Sequence, residues 1–353
     1  MIALTLDPTV LVFPDESAAE LTSRLSTLRT WNRLQLRHPW LGFSLSRSAK
    51  QIVVETGLYP AFHAIKASLG KAGLSSVFSA NDISAQVNRL LDSLDLEALT
   101  PVEDVLWDDA CCRPALKYSS VETRLQTELT RIVVVLAIAS RLEGSHSSVV
   151  ALASPQDSGI LALRCTVDVV IPEEVGVRVL GEVPCIVESE VSVVREAEDL
   201  YDLVDPQGVW TAAVTAGDLK LGISLRCRER MQASGIYAGW ASIPRFYIGE
   251  HFVSSLRPCQ AHCDGPHARV VLDRSAMVVL RTENIDIKPF VDREGKQRFR
   301  GKDAARAYRV HVTTEHEALR LMLWQRPDGF FELANIGLKA ELEIAEGDPN
   351  RAF

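Results

Sequence analysis

VETRLQTELTRIVVVLAIASRL, residues 121–142, is the stretch on which the fold turns. Leu125, Leu129, Ile132 and Val133 recur at three- and four-residue spacing, the period of one helical face. The second half is so apolar and β-branched that a helix here must be buried on most sides; a strand over Ile132–Ile138 is the competing reading. From Ser148 onward the period shortens. Val149–Ala153, Ile160–Ile171, Val175–Leu180 and Pro184–Val187 are short β-rich runs separated by Gly, Pro and acidic residues. The 121–142 helix therefore closes a helical part and a strand-rich part follows. This predicts an α+β chain with a mainly helical domain over 1–146, carrying short N-terminal strands. A β-rich domain over 147–353 ends in an antiparallel meander. The boundary falls near Gly144–Ser148, with 95–118 as the alternative linker.

Toward the N-terminus, Leu21, Leu25, Leu28, Trp31 and Leu34 line one helical face behind a cap at Asp15 or Ser17, and Pro39 ends it. Two shorter helices flank Gly57 and Pro60, and Ser79 or Asn81 caps another with Ile83, Val87, Leu90, Leu91 and Leu94 inward. Residues 2–13 read as a hairpin or two edge strands. Residues 95–118, with their prolines, aspartates and Cys111-Cys112, read as a loop. Toward the C-terminus, Val191–Val204, Asp218–Ala233 and Tyr247–Leu256 read as helical. Val270–Leu272, Met277–Arg281 and Ile285–Phe290 read as strands. A turn at 292–297 joins Pro289–Val291 to Arg298–Arg300, and Tyr308–Val312, Leu319–Gln325, Phe330–Leu333 and Leu338–Ile344 form the meander, with a turn at Pro327-Asp328-Gly329.

The 353 residues are 47% hydrophobic and 24% charged, which excludes a disordered chain. No basic segment precedes Met1–Leu4, and the longest apolar run, Ile132–Ala139, falls far short of the ~20 residues that span a bilayer. The seven cysteines are odd in number and scattered, as in a reducing compartment. These features predict a cytoplasmic protein without a membrane partner, and the excess of arginine over lysine suggests a GC-rich bacterial genome. The net charge of −8 is uneven: residues 1–150 carry −2, 151–205 carry −9 and 206–353 carry +3.

Three segments suggest chemistry. Arg293, Lys296, Arg298, Arg300, Lys302, Arg306 and Arg309 form a basic run interleaved with Phe299 and Tyr308. Guanidinium groups bind phosphate bidentately, so this run is the candidate nucleic-acid-binding surface. Alternation along 298–300 puts both arginines on one face and Phe299 in the core; a solvated hairpin is the plainer reading. Cys259, His262, Cys263 and His267 carry zinc-ligand chemistry, although neighbours such as His262 and Cys263 rarely reach one ion; otherwise no cofactor is expected. Asp168, Glu188 and Glu190, with Lys220, resemble nuclease carboxylates without the compact spacing. Glu182–Asp205 as a whole, eight carboxylates against Arg195, reads as a solvated face or a dock for a basic partner. The H-x-[ST] tripeptides at His311 and His146 arise easily among eight histidines. Phosphate-loop, dinucleotide, nucleophile-elbow, H-E-x-x-H and C-x-x-C motifs are absent.

The expected function is a non-catalytic subunit or adaptor of a bacterial multi-protein assembly, docking a protein partner through the acidic segment and contacting nucleic acid through the basic hairpin. A metal-dependent nuclease-like enzyme and a nucleic-acid-binding component of a genome-defence (anti-phage) or mobile-element system are the alternatives.

Overall fold

The computed structural model describes residues 2–13, 17–38, 40–117, 122–143, 148–150, 158–172, 180, 182–236, 239–292, 294–313, 318–339 and 343–353. The chain is α+β, helix-rich in its N-terminal part and strand-rich in its C-terminal part. It divides into two compact units, Met1–Asp202 and Leu203–Phe353.

In the first unit the elements run β1 (Ile2–Leu6), α1 (Ala18–Arg37), β2 (Leu41–Leu45), α2 (Arg47–Glu55), α3 (Phe62–Lys71), α4 (Ala80–Leu91), β3 (Leu94–Asp95), β4 (Val102–Arg113), α5 (Thr123–Glu143), β5 (Ser148–Val150), β6 (Gly159–Pro172), β7 (Cys185–Val194) and α6 (Ala197–Tyr201). One sheet takes the order β3-β2-β1-β5-β7-β6-β4. The run β3-β2-β1-β5-β7 is parallel from strand to strand, whereas β6 pairs antiparallel with both β7 and β4. Parallel neighbours need long crossovers, which α1 and α2–α4 supply. The α1 start follows from a capping box: Ser17 and Glu20 satisfy each other's free backbone N–H groups.

The helical reading of 121–142 holds. Ile132–Ala139 are buried throughout because α5 lies on β4, β6 and β7, with α2 packed against it as well. Burial on several sides outweighs the weak helix preference of its valines. The division near Gly144–Ser148 does not hold. β5 pairs with β1 in register Thr5↔Val149, so the strand-rich stretch after α5 completes the first unit's own sheet. Residues 144–147 themselves lie outside the described residues.

Other expectations need correction. Residues 102–113 are not a loop but the edge strand β4, whose alternation is broken by three register shifts against β6. The 2–13 segment is not a hairpin: β1 is central, followed by a short 3-10 turn at Pro8–Leu11 capped by Asp7. β2 follows Pro39 where no strand is expected from the sequence. Val191–Val194 belong to β7, with helix only at Ala197–Tyr201. The run Val175–Leu180 lies, apart from Leu180, outside the described residues.

The second unit runs α7 (Pro206–Ala212), α8 (Ala216–Ala233), β8 (Phe246–Ile248), α9 (Phe252–Leu256), α10 (Ala268–Leu280), β9 (Ile287–Pro289), β10 (Arg306–His311), β11 (Leu319–Gln325) and β12 (Phe331–Leu338). Its sheet has the order β8-β12-β11-β10-β9. The meander β9 to β12 is antiparallel as expected, and β8 joins parallel to β12. Tyr247–Leu256 is thus a strand and a short helix. The two stretches read as strands over 270–281 are one helix, α10, with Ala268, Val271, Leu272, Ser275, Ala276 and Val279 buried at helical spacing. β12 ends at Leu338; residues 340–342 lie outside the described residues.

This sheet has two unlike faces. Val310, Val312, Leu319, Leu321, Leu323 and Leu333 face α8, α9 and α10 in the main core. On the other face Phe290, Ala307, Met322, Trp324 and Ala334 form a smaller cluster closed by Ile344. Beside that cluster the same face turns basic.

Candidate functional site

The basic run does not form the surface its sequence suggests. The turn at 292–297 is present: Asp292 N–H donates to Lys296 O, and Arg298 N–H to Phe290 O. Beyond it the expected facing is inverted, with Phe299 54% exposed and Arg300 wholly buried. Arg300 donates to both oxygens of Asp303 (2.9 and 2.7 Å), to both of Glu332 (2.7 and 2.9 Å) and to Glu346 O (3.0 Å). Its guanidinium also lies 5.3 Å from the Trp324 ring centre. Arg300 is therefore a structural bolt and leaves the nucleic-acid-binding set. Alternation fails because 298–300 makes isolated bridges and not a continuous strand. The exposed cations of the run are partly compensated: Lys296 meets Glu294 at 3.0 Å, Arg298 meets Glu346 at 3.6 Å and Lys302 meets Asp348 at 3.5 Å. Arg306 is exposed, and Arg293 lies outside the described residues.

Arg309 belongs to a different group. On β10 it stands opposite Lys288 of β9, and His311 stands opposite Arg320 of β11. Their sequence neighbours Tyr308, Val310, Leu319 and Leu321 face the helices, so period two puts Arg309, His311 and Arg320 together on the outer face. Lys288 and Lys339 are exposed at the rim. Arg320 is only 8% exposed, and the Nε atoms of Arg309 and Arg320 are buried without a hydrogen-bond partner. Burial, then the neighbouring Arg320, Arg309, Lys288 and Lys339, hold the His311 imidazole below its ordinary pKa. Burial and Arg309 likewise lower that of Arg320. No spacing in the sequence marks this cluster, because its members are spread over the chain from Lys288 to Lys339, 51 positions apart, and pairing gathers them.

The Cys/His set does not converge. Cys259 points toward Ile336 O, while Cys263 is exposed beside His262, Sγ to Nδ1 3.2 Å. His267 precedes α10. Gly265 is required in this tight loop, since a Cβ there would sit 2.2 Å from Gln260 O. Among the described residues no three His, Cys, Asp or Glu side chains are grouped as metal ligands.

Nor do the carboxylates form a site. Glu188 pairs across to Arg164 on β6 (3.2 Å), and Asp168 lies four residues further along, about 13 Å at strand rise. Lys220 belongs to the second unit, where its ammonium lies 5.3–5.9 Å from the ring centres of Phe246, Tyr247 and Phe353. What 168, 188 and 190 share is the outer side of β4, β6 and β7, opposite α5. This side also carries Leu106 (60% exposed), Ile171 and Ile186 (52% exposed). A shallow trough of 720 Å³ opens there, lined among others by Asp109, Arg113, Arg164, Ile186, Glu188 and Glu190. Cys165 and Cys112 lie beneath, and burial raises both thiols, Cys165 to about 11, so neither is a thiolate at neutral pH.

A further polar group lies at the carboxyl ends of β1 and β2, where open parallel sheets commonly bind ligands. Ser46 Oγ is hydrogen-bonded to Glu128 Oε1, and Arg131 donates to Ser46 Oγ (3.0 Å), to Glu128 (3.0 and 3.1 Å) and to Glu97 (2.6 Å). Beside β1, Asp7 accepts from Thr9 N–H and Oγ1–H (2.9 and 2.7 Å) while its Oδ2 is buried without a partner. Burial pushes the Asp7 carboxyl up to about 6. The Ser46–Glu128–Arg131–Glu97 group satisfies itself and ties α5 to α2. Of the six tryptophans, Trp31, Trp210 and Trp324 are fully buried. His146 lies outside the described residues, and Thr313 Oγ1 accepts from Leu319 N–H (2.9 Å).

No helix among the described residues is long and apolar enough to cross a membrane. No family model, no curated protein and no solved structure matches this chain.

Proposed function

We propose that the chain is a non-catalytic docking subunit of a multi-protein assembly, and that the outer face of β4, β6 and β7 receives a protein partner. The observation that carries this is the uncovered apolar strip of Leu106, Val169, Ile171 and Ile186 on a sheet whose opposite face is fully packed by α5. Large exposed side chains gathered on one sheet face mark interaction sites more often than isolated ones do. The exposed carboxylates of Glu103, Asp104, Asp108, Asp109, Asp168, Glu188 and Glu190 surround that strip. Among the described residues Arg113 and Arg164 line the same trough, and Arg164 is paired with Glu188. A partner segment presenting basic residues around an apolar ridge fits this surface, and the charge sets its association rate and selectivity.

The test is purification of the tagged full chain from its host at low salt, beside the double variant L106E/I186E and the control R298A/K302A. A protein held at fixed ratio by wild type and control, lost from the double variant, is the expected result. That protein's cross-links should map to basic segments. Recovery of the same partners by the double variant, or elution of wild type alone, would sink the reading.

A further inference from the structure

We propose that the outer face of the second unit's sheet binds a phosphoryl group between Arg309, His311 and Arg320, with Lys288 and Lys339 at its rim. This site is independent of the protein-docking face on the first unit. The placement follows from register. Neighbouring strands stand about 4.8 Å apart and residues two apart on one strand about 7 Å. Arg309, His311 and Arg320 therefore all come within reach of one tetrahedral anion.

The decisive contrast is with the other buried arginines. Arg300 has Asp303 and Glu332, Arg131 has Glu97 and Glu128, and Arg24 donates to Thr9 O and Val12 O with Asp7 nearby. Arg320 is buried to a similar degree, yet its Nε and that of Arg309 have no hydrogen-bond partner among the described residues. Lys288 pairs with Asp286 at 2.8 Å. A buried guanidinium without a partner is costly, and a second guanidinium and an imidazole beside it raise that cost. The arrangement is disfavoured in the free protein and relieved when an anion enters. His311 behaves accordingly: burial and then the surrounding cations lower its pKa, and a bound dianion would favour its protonated, donating form.

Phosphate is the chemistry these donors match. Guanidinium forks bind its oxygens bidentately, and imidazole and ammonium add single donors. Phe290 and Trp324, the aromatic rings of this face, are buried in the adjacent cluster and offer no stacking platform. Recognition is thus of the phosphoryl group and not of a base, whether it is carried on a small phosphorylated molecule or in a nucleic-acid backbone.

The test uses the full chain in phosphate-free buffer. Calorimetry is run with inorganic phosphate and pyrophosphate, and anisotropy with labelled single-stranded and duplex oligonucleotides over a salt series. R320M and R309Q are compared with wild type and with R298A/K302A, and the His311 imidazole is titrated by NMR. Wild type should bind at least one of these probes, and saturation should raise the His311 pKa. R320M should lose about tenfold or more in affinity (one bidentate contact), while the hairpin control stays within about twofold. Without ligand, R320M should melt at or above wild type, and a given ligand concentration should raise the melting temperature of wild type more than that of R320M. Binding of phosphate without oligonucleotide marks a small ligand. Oligonucleotide binding with a salt slope reduced by about one in R320M marks a nucleic-acid backbone. Three outcomes overturn the proposal: no binding of any probe, unchanged affinity in R320M, or a melting temperature of ligand-free R320M well below wild type, which would show that Arg320 already has its counter-charge.

Discussion

Replacing Arg300 by alanine should destabilise the second unit severely, although the residue sits in a run that reads as surface charge. The side chain donates five hydrogen bonds of 2.7–3.0 Å to Asp303, Glu332 and Glu346 O. Its loss affects the two carboxylates unequally. Asp303 is 18% exposed and can take water in exchange. Glu332, 2% exposed, keeps among the described residues Arg326 at 3.6 Å. A stranded buried carboxylate costs about 3–5 kcal/mol. For a unit of 151 residues, Leu203–Phe353, each kcal/mol moves the midpoint by about 2–4 °C, so a fall of about 10 °C is expected. Urea unfolding and scanning calorimetry on the full chain would measure both figures. E332Q added to R300A should restore about 1–2 kcal/mol by removing the stranded charge. The pH dependence has a fixed sign. Arg300 holds the Asp303 carboxyl below its usual value, so this stabilisation is present above the ordinary carboxylate pKa and is lost as pH falls through the lowered one. The gap between wild type and R300A should narrow in acid. A change below about 1 kcal/mol at neutral pH would refute the reasoning, because it would mean that the charge is solvated and free to meet a ligand.

Asp7→Asn tests the first unit in the opposite direction. An acid whose folded pKa is raised to about 6 contributes fully below the unfolded value and loses stability as pH rises through 6. Asparagine should therefore stabilise by about 1–3 kcal/mol at pH 8 and by little at pH 4; equal effects at both pH values in denaturant titrations would contradict it. Gly265→Ala should cost about 2 kcal/mol or more, because the new Cβ would meet the backbone of Gln260 and neither chain segment is free to yield. Calorimetry checks this, and a neutral result would show that the 259–267 loop can open.

Helices with one inward face were legible wherever polar residues framed them. Ser17 and Ser79 cap as read, and the breaks at Gly57 and Pro60 separate α2 from α3. α10 was misread because its valines suggest strand locally, although Ala268, Val271, Leu272, Ser275 and Ala276 carry the helical period. β4 was misread because its bulges erase alternation. At the functional level, Arg309 was the one member of the sheet-face cluster named among the basic residues. Lys288, Arg320 and Lys339 belong to separate strands and strand ends, and no spacing along the chain marks them as neighbours.

From composition and periodicity alone come the α+β class, the buried helix at 121–142, the antiparallel meander and the uneven charge. These depend on local preference and on which side of an element is apolar, and both are written in consecutive residues. Pairing across distance decided the rest. It joined β5 to β1 and so set the unit boundary at 202/203. It buried Arg300 against Glu332 and, among the described residues, left Arg320 Nε buried without a hydrogen-bond partner. Whether a charge is a bolt, a solvated group or a binding site depends on its partners in space, and side chains of one type are indistinguishable until the chain has closed around them.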